Sequence, residues 1–232
     1  MSAADISSQI PENLKCIIFD MDGVLYDSMK NHEKSWTACF KNIGIDFPAY
    51  DAYLYEGKPG HHTIQEVIKK HLNRDASADE AEAVYQDKVK YMSQLPTPVF
   101  CPGMDKLLPL LRKEGLAVWV VTGSKQPTLL NKLGADFGMD PAHIISAKDV
   151  INGKPHPEPY LKAVAGSGFK ASQCLVVENA PLGVKASKAA DIFTIAVNTG
   201  ILKPEVLKNA GADIVLPGTE PLISIFENYL KI

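Results

Sequence analysis

Six short apolar runs, separated by segments with the spacing of amphipathic helices, limit the folds that this chain can adopt. The apolar residues in these runs stand next to one another rather than alternating with polar residues, which is typical of strands buried on both faces of a parallel sheet. We therefore predict an α/β fold, with a doubly wound Rossmann-like parallel sheet as its core. The predicted strands are residues 15–20, 116–121, 143–146, 174–177, 192–197 and 213–216, and the core helices lie near 103–114, 125–134, 157–167, 181–190, 203–210 and 220–230.

One interval between the first two strands breaks this alternation. It is rich in Glu, Lys, Gln, Tyr and Ala and contains no convincing strand. We interpret it as an inserted helical cap domain, with Pro96-Thr97-Pro98 as its return hinge. The predicted boundaries are 28–96 for the cap and 1–27 with 97–232 for the core, and the cap helices are expected around 29–43, 62–72 and 78–94.

Composition excludes several classes of partner. The 232 residues are 46% hydrophobic with a net charge of −3, and no Lys/Arg cluster alternates with aromatic residues, so we expect no nucleic-acid partner. No apolar run approaches the ~20 residues that a membrane span needs, and the polar N-terminus does not resemble a signal peptide. We expect a cytoplasmic monomer without a membrane partner. The four cysteines form no CxxC pair, which favours buried thiols in a reducing compartment.

Two carboxylates stand where the first apolar run ends. Asp20 and Asp22 are two residues apart, so their side chains point to the same side of an extended chain. The carboxyl ends of parallel strands are where open α/β sheets bind ligands. The pair suits a nucleophile beside a proton donor, although an isolated Asp-x-Asp at a strand end is more often part of a turn.

Polar groups also follow the next three predicted strands. Thr122 precedes Gly123 and a helix start, where backbone amides attract phosphate. Lys154 is fixed between a glycine and a proline, and Glu178-Asn179 open the loop after the fourth strand. Four consecutive strand ends therefore carry carboxylates, a hydroxyl, an ammonium and an amide, a combination that favours one catalytic site over four unrelated structural roles.

In this order the motifs resemble those of the haloacid dehalogenase superfamily, in the subgroup with a helical cap inserted after the first strand. The resemblance implies that Asp20 is a nucleophile forming an aspartyl-phosphate and that Asp22 is the general acid/base. It also implies that Thr122 and Lys154 bind the phosphate. The motifs are Asp20-Met21-Asp22-Gly23-Val24, Thr122, Lys154-Pro155 and Val177-Glu178-Asn179-Ala180-Pro181-Leu182-Gly183-Val184, and together they extend over the chain past its N-terminal tail.

The same resemblance implies a Mg²⁺ cofactor. Its ligands would be the Asp20 side chain, the Asp22 backbone carbonyl and Asn179, and we add Glu178 as a further predicted ligand. A carboxylate that attacks a phosphate dianion is repelled by it, and a bridging Mg²⁺ with an ammonium on the other oxygens offsets that repulsion. Dehalogenases and phosphonatases that resemble this chain lack an acid at the position of Asp22, so the resemblance implies phosphoryl transfer from oxygen.

The cap carries the signals for the substrate. His32 and Trp36 follow the nucleophile at the spacing of the β-phosphoglucomutases, so the chain resembles a relative of that subgroup. Where such mutases carry a lysine before the cap glycine, this chain has Glu56, and where they carry an arginine for the distal phosphate it has Gly60. The usual aspartate of the fourth motif is Asn179.

These departures lead to a hypothesis about the substrate. With one anionic ligand fewer in the core, a closing cap would bring Glu56 to the Mg²⁺ and leave little room for a sugar. The segment Tyr53-Leu54-Tyr55-Glu56-Gly57-Lys58-Pro59-Gly60 resembles that of a capped bacterial branch with inorganic pyrophosphatase activity. Pyrophosphate hydrolysis is therefore the leading hypothesis. The predicted substrate contacts are Glu56, Lys88, Ser124, Lys125 and His32.

Two other interpretations stay open. A β-phosphoglucomutase or a small sugar-phosphate phosphatase is favoured by His32, Trp36, Ser124 and Lys125. A non-catalytic phosphate-binding regulatory module on the same fold belongs to another class of protein, and the intact Asp20 argues against it. Each interpretation predicts a small phosphorylated ligand.

Overall fold

Six parallel strands form a single sheet in the order β3-β2-β1-β4-β5-β6. The computed structural model describes residues 2–124 and 127–232, without the side chains of residues 127–130. The strands are β1 (Cys16–Phe19), β2 (Ala117–Val121), β3 (Ile144–Ile145), β4 (Cys174–Glu178), β5 (Phe193–Val197) and β6 (Ile214–Leu216). This architecture confirms the predicted α/β class.

The described helices lie where the sequence pattern places them, with two additions. They are α1 (Ala3–Ser7), α2 (Met29–Asn42), α3 (Ala49–Leu54), α4 (Gly60–Leu72), α5 (Ala78–Ser93), α6 (Met104–Lys113), α7 (Pro127–Phe137), α8 (Glu158–Ser167), α9 (Pro181–Ala189), α10 (Pro204–Asn209) and α11 (Pro221–Leu230). The two short helices α1 and α3 were not predicted, because five or six residues are too few to display a helical period. Tertiary contacts hold them: Ile6 of α1 and Ala52 of α3 are both buried.

The sheet has a hydrophobic layer on each face. Ile17 and Phe19 belong to one cluster and Cys16 and Ile18 to the other, because successive side chains on a strand point to opposite faces. All four are fully shielded from solvent. Helices α1, α6, α7 and α11 contribute to the first cluster, and α8 and α9 contribute to the second. The four cysteines are free and buried, as predicted.

The strand order brings the predicted site residues to one edge of the sheet. The chain moves from β1 outward to β2 and β3 and then crosses to β4 on the other side of β1. The switch in direction therefore lies between β1 and β4, which is where doubly wound sheets bind ligands. Asp20 follows β1, Thr122 follows β2 and Glu178 ends β4, all at the carboxyl ends of their strands.

Helices α2 to α5, which we call the helical insert, pack on one another and have a hydrophobic cluster of their own. Its centre is aromatic: the rings of Trp36 and Phe40 stack with centroids 5.5 Å apart, and Phe47 lies 4.7 Å from Phe40. All residues from 28 to 96 are described, and none of them forms a strand. The domain boundaries at 28–96 stay a prediction. Over the described parts of the chain, no helix is both long and apolar enough to cross a membrane.

Candidate active site

A buried lysine joins two carboxylates at the centre of the site. The ammonium of Lys154 donates to Asp20 Oδ1 at 2.5 Å and to Glu178 Oε1 at 2.6 Å. Burial alone would lower the pKa of Lys154, but the two carboxylates outweigh burial and hold it well above its ordinary value. Burial raises the pKa of Asp20, with Lys154 opposing and Glu178 and Asp22 adding to the rise. The ammonium therefore stays charged beside the predicted nucleophile.

Glu178 has donors at both carboxylate oxygens. Its Oε1 accepts from Lys154 and from the Tyr160 hydroxyl at 2.9 Å, and its Oε2 accepts from the N–H groups of Asn179 at 2.8 Å and Ala180 at 2.9 Å. A carboxylate offers about four acceptor positions, so these donors fill them. That Glu178 is also a metal ligand stays a prediction, although its hydrogen bonds in this structure are all to protein groups. Glu178 holds the ammonium of Lys154 in place.

Asp22 is held by two donors from the start of the helical insert. The Ser28 hydroxyl donates to Asp22 Oδ1 at 2.6 Å, and His32 Nε2 lies 3.2 Å from the same oxygen. Burial opposes ionisation of Asp22, but His32 and Ser28 prevail and lower its pKa to about 2. The carboxylate is thus fixed in orientation and favoured in its ionised form.

The imidazole of His32 also lies close to Glu56, the residue of the insert that is predicted to bind the metal. Its Nδ1 lies 3.4 Å from Glu56 Oε2, so a doubly protonated ring would lie between two carboxylates. Burial raises the pKa of Glu56, with His32 opposing and Asp22 adding to the rise. Asp22, His32 and Glu56 therefore form a continuous chain from the core to the insert.

A small cavity lies between the insert and the core. Its volume is about 60 Å³, and its lining includes Asp22, His32, Trp36, Glu56, Lys88 and Ser124. The Lys88 ammonium lies 5.2 Å from the centre of the Trp36 ring. Burial lowers the pKa of Lys88, although Glu56 and Asp22 oppose this effect. The structure thus brings Lys88 and Ser124 to the cavity, while Lys125 lies outside the described residues.

Thr122 is the predicted phosphate-binding residue after β2. The Thr122 side chain is buried, and its hydroxyl accepts the Ser124 N–H at 3.0 Å. Thr122 and Lys154 both line a neighbouring cavity of about 160 Å³. Thr122 and Lys154 therefore face a shared space, in which both could contact one bound phosphate.

The loop before α4 sits directly on the core. A Cβ on Gly123 would lie 3.3 Å from the Gly57 carbonyl oxygen, and a Cβ on Gly153 would lie 2.7 Å from Pro59 Cγ. A side chain at either position would crowd the loop, whose Gly57 backbone and Pro59 ring approach the two glycines closely. The two core glycines therefore allow the insert to close over the site.

Oxygen donors near Asp20 fit a hard cation. Asn179 Oδ1 is buried and has no hydrogen-bond partner among the described residues. Asn179 packs over the loop that follows Asp22, where a Cβ on Gly23 would lie 1.9 Å from Asn179 Nδ2. Within residues 2–124 and 127–232, no three His, Cys, Asp or Glu residues are grouped as a metal site, and the ligands suggested here combine the Asp20 carboxylate with amide and backbone oxygens. Mg²⁺ accepts such mixed oxygen ligands and keeps several waters.

Two site residues were missed in the sequence. Ser28 looks like a helix cap because it precedes α2, yet its side chain makes no cap hydrogen bond and donates to Asp22. Tyr160 looks like an ordinary core residue of α8, and its ring lies 5.2 Å from the Lys154 ammonium. A hydroxyl on the buried face of the helix that follows Lys154 was the available signal.

Comparison with known proteins agrees with this geometry. A proposed β-phosphoglucomutase from Bacteroides vulgatus is 38% identical, with a TM-score of 0.91 over 99% of this chain and 97% of that one. The β-phosphoglucomutase of Bacillus subtilis is 26% identical over 220 residues, 90% of this chain and 92% of the relative. The validoxylamine A 7'-phosphate phosphatase of Streptomyces hygroscopicus subsp. limoneus is 29% identical over 189 residues, 80% and 86% of the two chains. Residues 14–191 match the model of the haloacid dehalogenase-like hydrolases. The chain belongs to the haloacid dehalogenase-like hydrolase family.

Proposed function

We propose that this chain is a phosphohydrolase that works through an aspartyl-phosphate at Asp20. The contact between the Asp20 carboxylate and the buried Lys154 ammonium carries the proposal. In the first step an Asp20 oxygen attacks phosphorus, and the bond from phosphorus to the leaving oxygen breaks. In the second step water attacks the same phosphorus and releases phosphate, which restores the Asp20 carboxylate. Lys154 and Thr122 bind the phosphoryl oxygens in both steps.

Asp22 serves the proton transfers of this reaction. It gives a proton to the leaving oxygen in the first step and takes one from water in the second. Ser28 and His32 fix its carboxylate by direct contacts, and they favour the ionised form that the second step needs. His32 is therefore a positioning residue for Asp22, and its second neighbour Glu56 connects it to the loop between α3 and α4.

A divalent cation completes the site in this proposal. The Asp20 side chain, the Asn179 amide oxygen and the Asp22 backbone carbonyl would hold Mg²⁺. When bound, the ion supplies the positive charge that offsets repulsion between the carboxylate and the phosphate. Glu56 as an additional ligand stays a prediction, supported by its burial and by its position beside His32.

Inorganic pyrophosphate is the substrate that the cavity favours. A space of about 60 Å³ is small, since pockets that enclose drug-sized ligands measure roughly 300–1,000 Å³. The Lys88 ammonium contributes a buried positive charge for a second phosphate group, and Glu56 occupies part of the space that a sugar ring would need. Pyrophosphate is compact and carries charge at both ends, which matches these features.

A sugar-phosphate phosphatase is the second candidate. The relatives favour it, because the Bacillus subtilis protein is a β-phosphoglucomutase and the Streptomyces protein is a phosphatase for a phosphorylated validoxylamine. Movement of the insert away from the core would enlarge the cavity for such a substrate. Glu56 in place of the lysine of the mutases argues against a sugar bisphosphate.

A substrate panel separates the two candidates. With Mg²⁺ present, we expect kcat/KM for pyrophosphate to exceed the value for each of a few dozen phosphate esters, β-glucose 1-phosphate included. The rate of phosphate release at steady state, measured for each substrate, gives these kcat/KM values and ranks the substrates. Faster turnover of a sugar phosphate would replace pyrophosphate by the second candidate while leaving the phosphohydrolase proposal in place.

Glu56 provides a test within the insert. Replacing Glu56 by alanine should lower kcat/KM for pyrophosphate on the order of 10²-fold, as for other preorganised charged groups at a reacting centre. The matched control is Glu80→Ala, which removes a surface partner of Arg74. An unchanged rate for Glu56→Ala would reject its role at the metal or the substrate.

A further inference from the structure

A core segment outside the four motifs touches both the helical insert and the nucleophile loop. It runs from Asn198 to Leu202, directly after β5. The insert is joined covalently to the core by two linkers, one before α2 and one after α5. The segment adds a non-covalent attachment on the side of the core that follows β5.

Contacts of the segment with the insert are apolar and close. Leu202 is 5% exposed and belongs to the hydrophobic cluster of the insert, although it lies in the core part of the sequence. Gly200 lies under the ring of Tyr53 from α3: a Cβ on Gly200 would be 2.5 Å from Tyr53 Cδ1 and 2.6 Å from its Cε1. Such a Cβ would overlap the ring, so the ring can occupy this position only above a glycine.

Space rather than backbone conformation is what requires glycine here. The φ angle of Gly200 is not in the positive range that favours glycine, unlike that of Gly211. Alanine at position 200 would therefore keep the backbone, and the nearest atoms to its methyl group would be those of the Tyr53 ring. This makes Gly200→Ala a selective probe of the contact between the segment and α3.

Contacts with the catalytic loop are polar. The Thr199 hydroxyl donates to the Gly23 carbonyl oxygen at 2.5 Å, and Gly23 directly follows Asp22. Two hydrogen bonds of Asn198 stabilise the segment itself. Its side-chain amide donates to the Leu202 carbonyl at 2.8 Å, and its N–H donates to the Leu216 carbonyl of β6 at 2.8 Å. One short turn therefore joins the sheet, the Asp22 loop and the insert.

We propose that Thr199, Gly200 and Leu202 form a positioning element that sets where the helical insert sits over the catalytic site. Gly200 contacts α3 and Leu202 packs into the insert cluster, so together they fix where the insert lies on the core. Thr199 fixes this contact surface relative to the loop that carries Asp22. The consequences for turnover rest on the proposed function, whereas the seating itself does not.

The test compares Gly200→Ala with Gly218→Ala in the full chain. A Cβ on Gly218 meets nothing within 4 Å, and Gly218 also lacks a positive φ, so it is a matched control. Both are made in a Trp119→Phe background, which leaves Trp36 as the remaining tryptophan. Trp36 is 6% exposed and lines the cavity between the insert and the core. Acrylamide quenching of its fluorescence therefore reports whether the insert is seated.

We expect Gly200→Ala to increase quenching of Trp36 and Gly218→Ala to leave it unchanged. If the insert is seated in only a tenth of the molecules, KM for the substrate rises roughly tenfold, because apparent affinity falls with the competent fraction. We expect kcat to fall less than kcat/KM. Leu202→Ala, which adds no atoms and so avoids a clash, should shift quenching and KM in the same direction.

A double-mutant cycle identifies the contact responsible. In a Tyr53→Ala background the added methyl has no ring to meet, so Gly200→Ala should no longer change quenching. The proposal is overturned if Gly200→Ala behaves like Gly218→Ala, or if its effect is the same with and without the Tyr53 ring. If quenching responds as expected but the parent hydrolyses neither pyrophosphate nor any ester, the proposed function fails and the positioning element stands.

Discussion

Replacing Asp20 by asparagine is expected to abolish turnover, with a loss of roughly 10⁴-fold or more in kcat, equivalent to about 5.5 kcal/mol or more of transition-state stabilisation. The amide is nearly isosteric with the carboxylate but is not a nucleophile, so no phosphoryl-enzyme forms. The amide oxygen still accepts a hydrogen bond from Lys154, and the fold should persist.

The measurement is turnover of the best substrate together with the mass of the acid-quenched protein during turnover. The parent should show a phosphoryl adduct that the variant lacks. Asp105→Asn, at an exposed position in the first turn of α6, is the control and should behave like the parent. An Asp20→Asn variant as active as the parent would remove the nucleophile assignment. A parent that binds phosphate but turns over no substrate would favour the non-catalytic module.

Replacing Lys154 by methionine is expected to cost about 3–5 kcal/mol of folding free energy, in addition to abolishing activity. Methionine has a similar length but no charge. Its introduction would leave the carboxylates of Asp20 and Glu178 buried without the cation that both now contact. Uncompensated buried charge is far more costly than a lost surface ion pair.

Urea unfolding followed by circular dichroism gives this free energy from the midpoint and slope. Lys185→Met is the matched control, because Lys185 is an exposed residue of α9 and its replacement should change stability by no more than about 0.5 kcal/mol. A loss below about 1 kcal/mol for Lys154→Met would contradict the view that the cluster depends on its single ammonium.

The fold class and the main residues of the candidate site could be predicted from short-range patterns in the sequence. Short, mainly apolar runs marked each strand of the sheet, because strands buried on both faces are rich in apolar residues. The edge of the sheet that binds ligands follows from topology, so Asp20, Thr122 and Lys154 could be assigned to one site before any distance was known. The structure places these side chains together at that edge.

Roles that depend on hydrogen-bond partners were harder to predict from the sequence. Glu178 has the chemistry of a metal ligand, but four donors, including Tyr160, occupy its oxygens. Ser28 has the position of a helix cap, but its hydroxyl turns to Asp22. In both cases the residue type permits several kinds of partner, and the tertiary structure determines which partners lie within hydrogen-bond distance.

Local sequence pattern therefore determined the α/β class and singled out the residues that we propose for phosphoryl chemistry, because both depend on residue type and on position at the ends of the strands. The seating of the helical insert was decided only in three dimensions. It depends on Gly200 beneath the Tyr53 ring and on Leu202 inside the insert cluster, contacts between residues nearly 150 positions apart. Packing of this kind follows from shape and free space at each contact, and no periodicity along the chain encodes it.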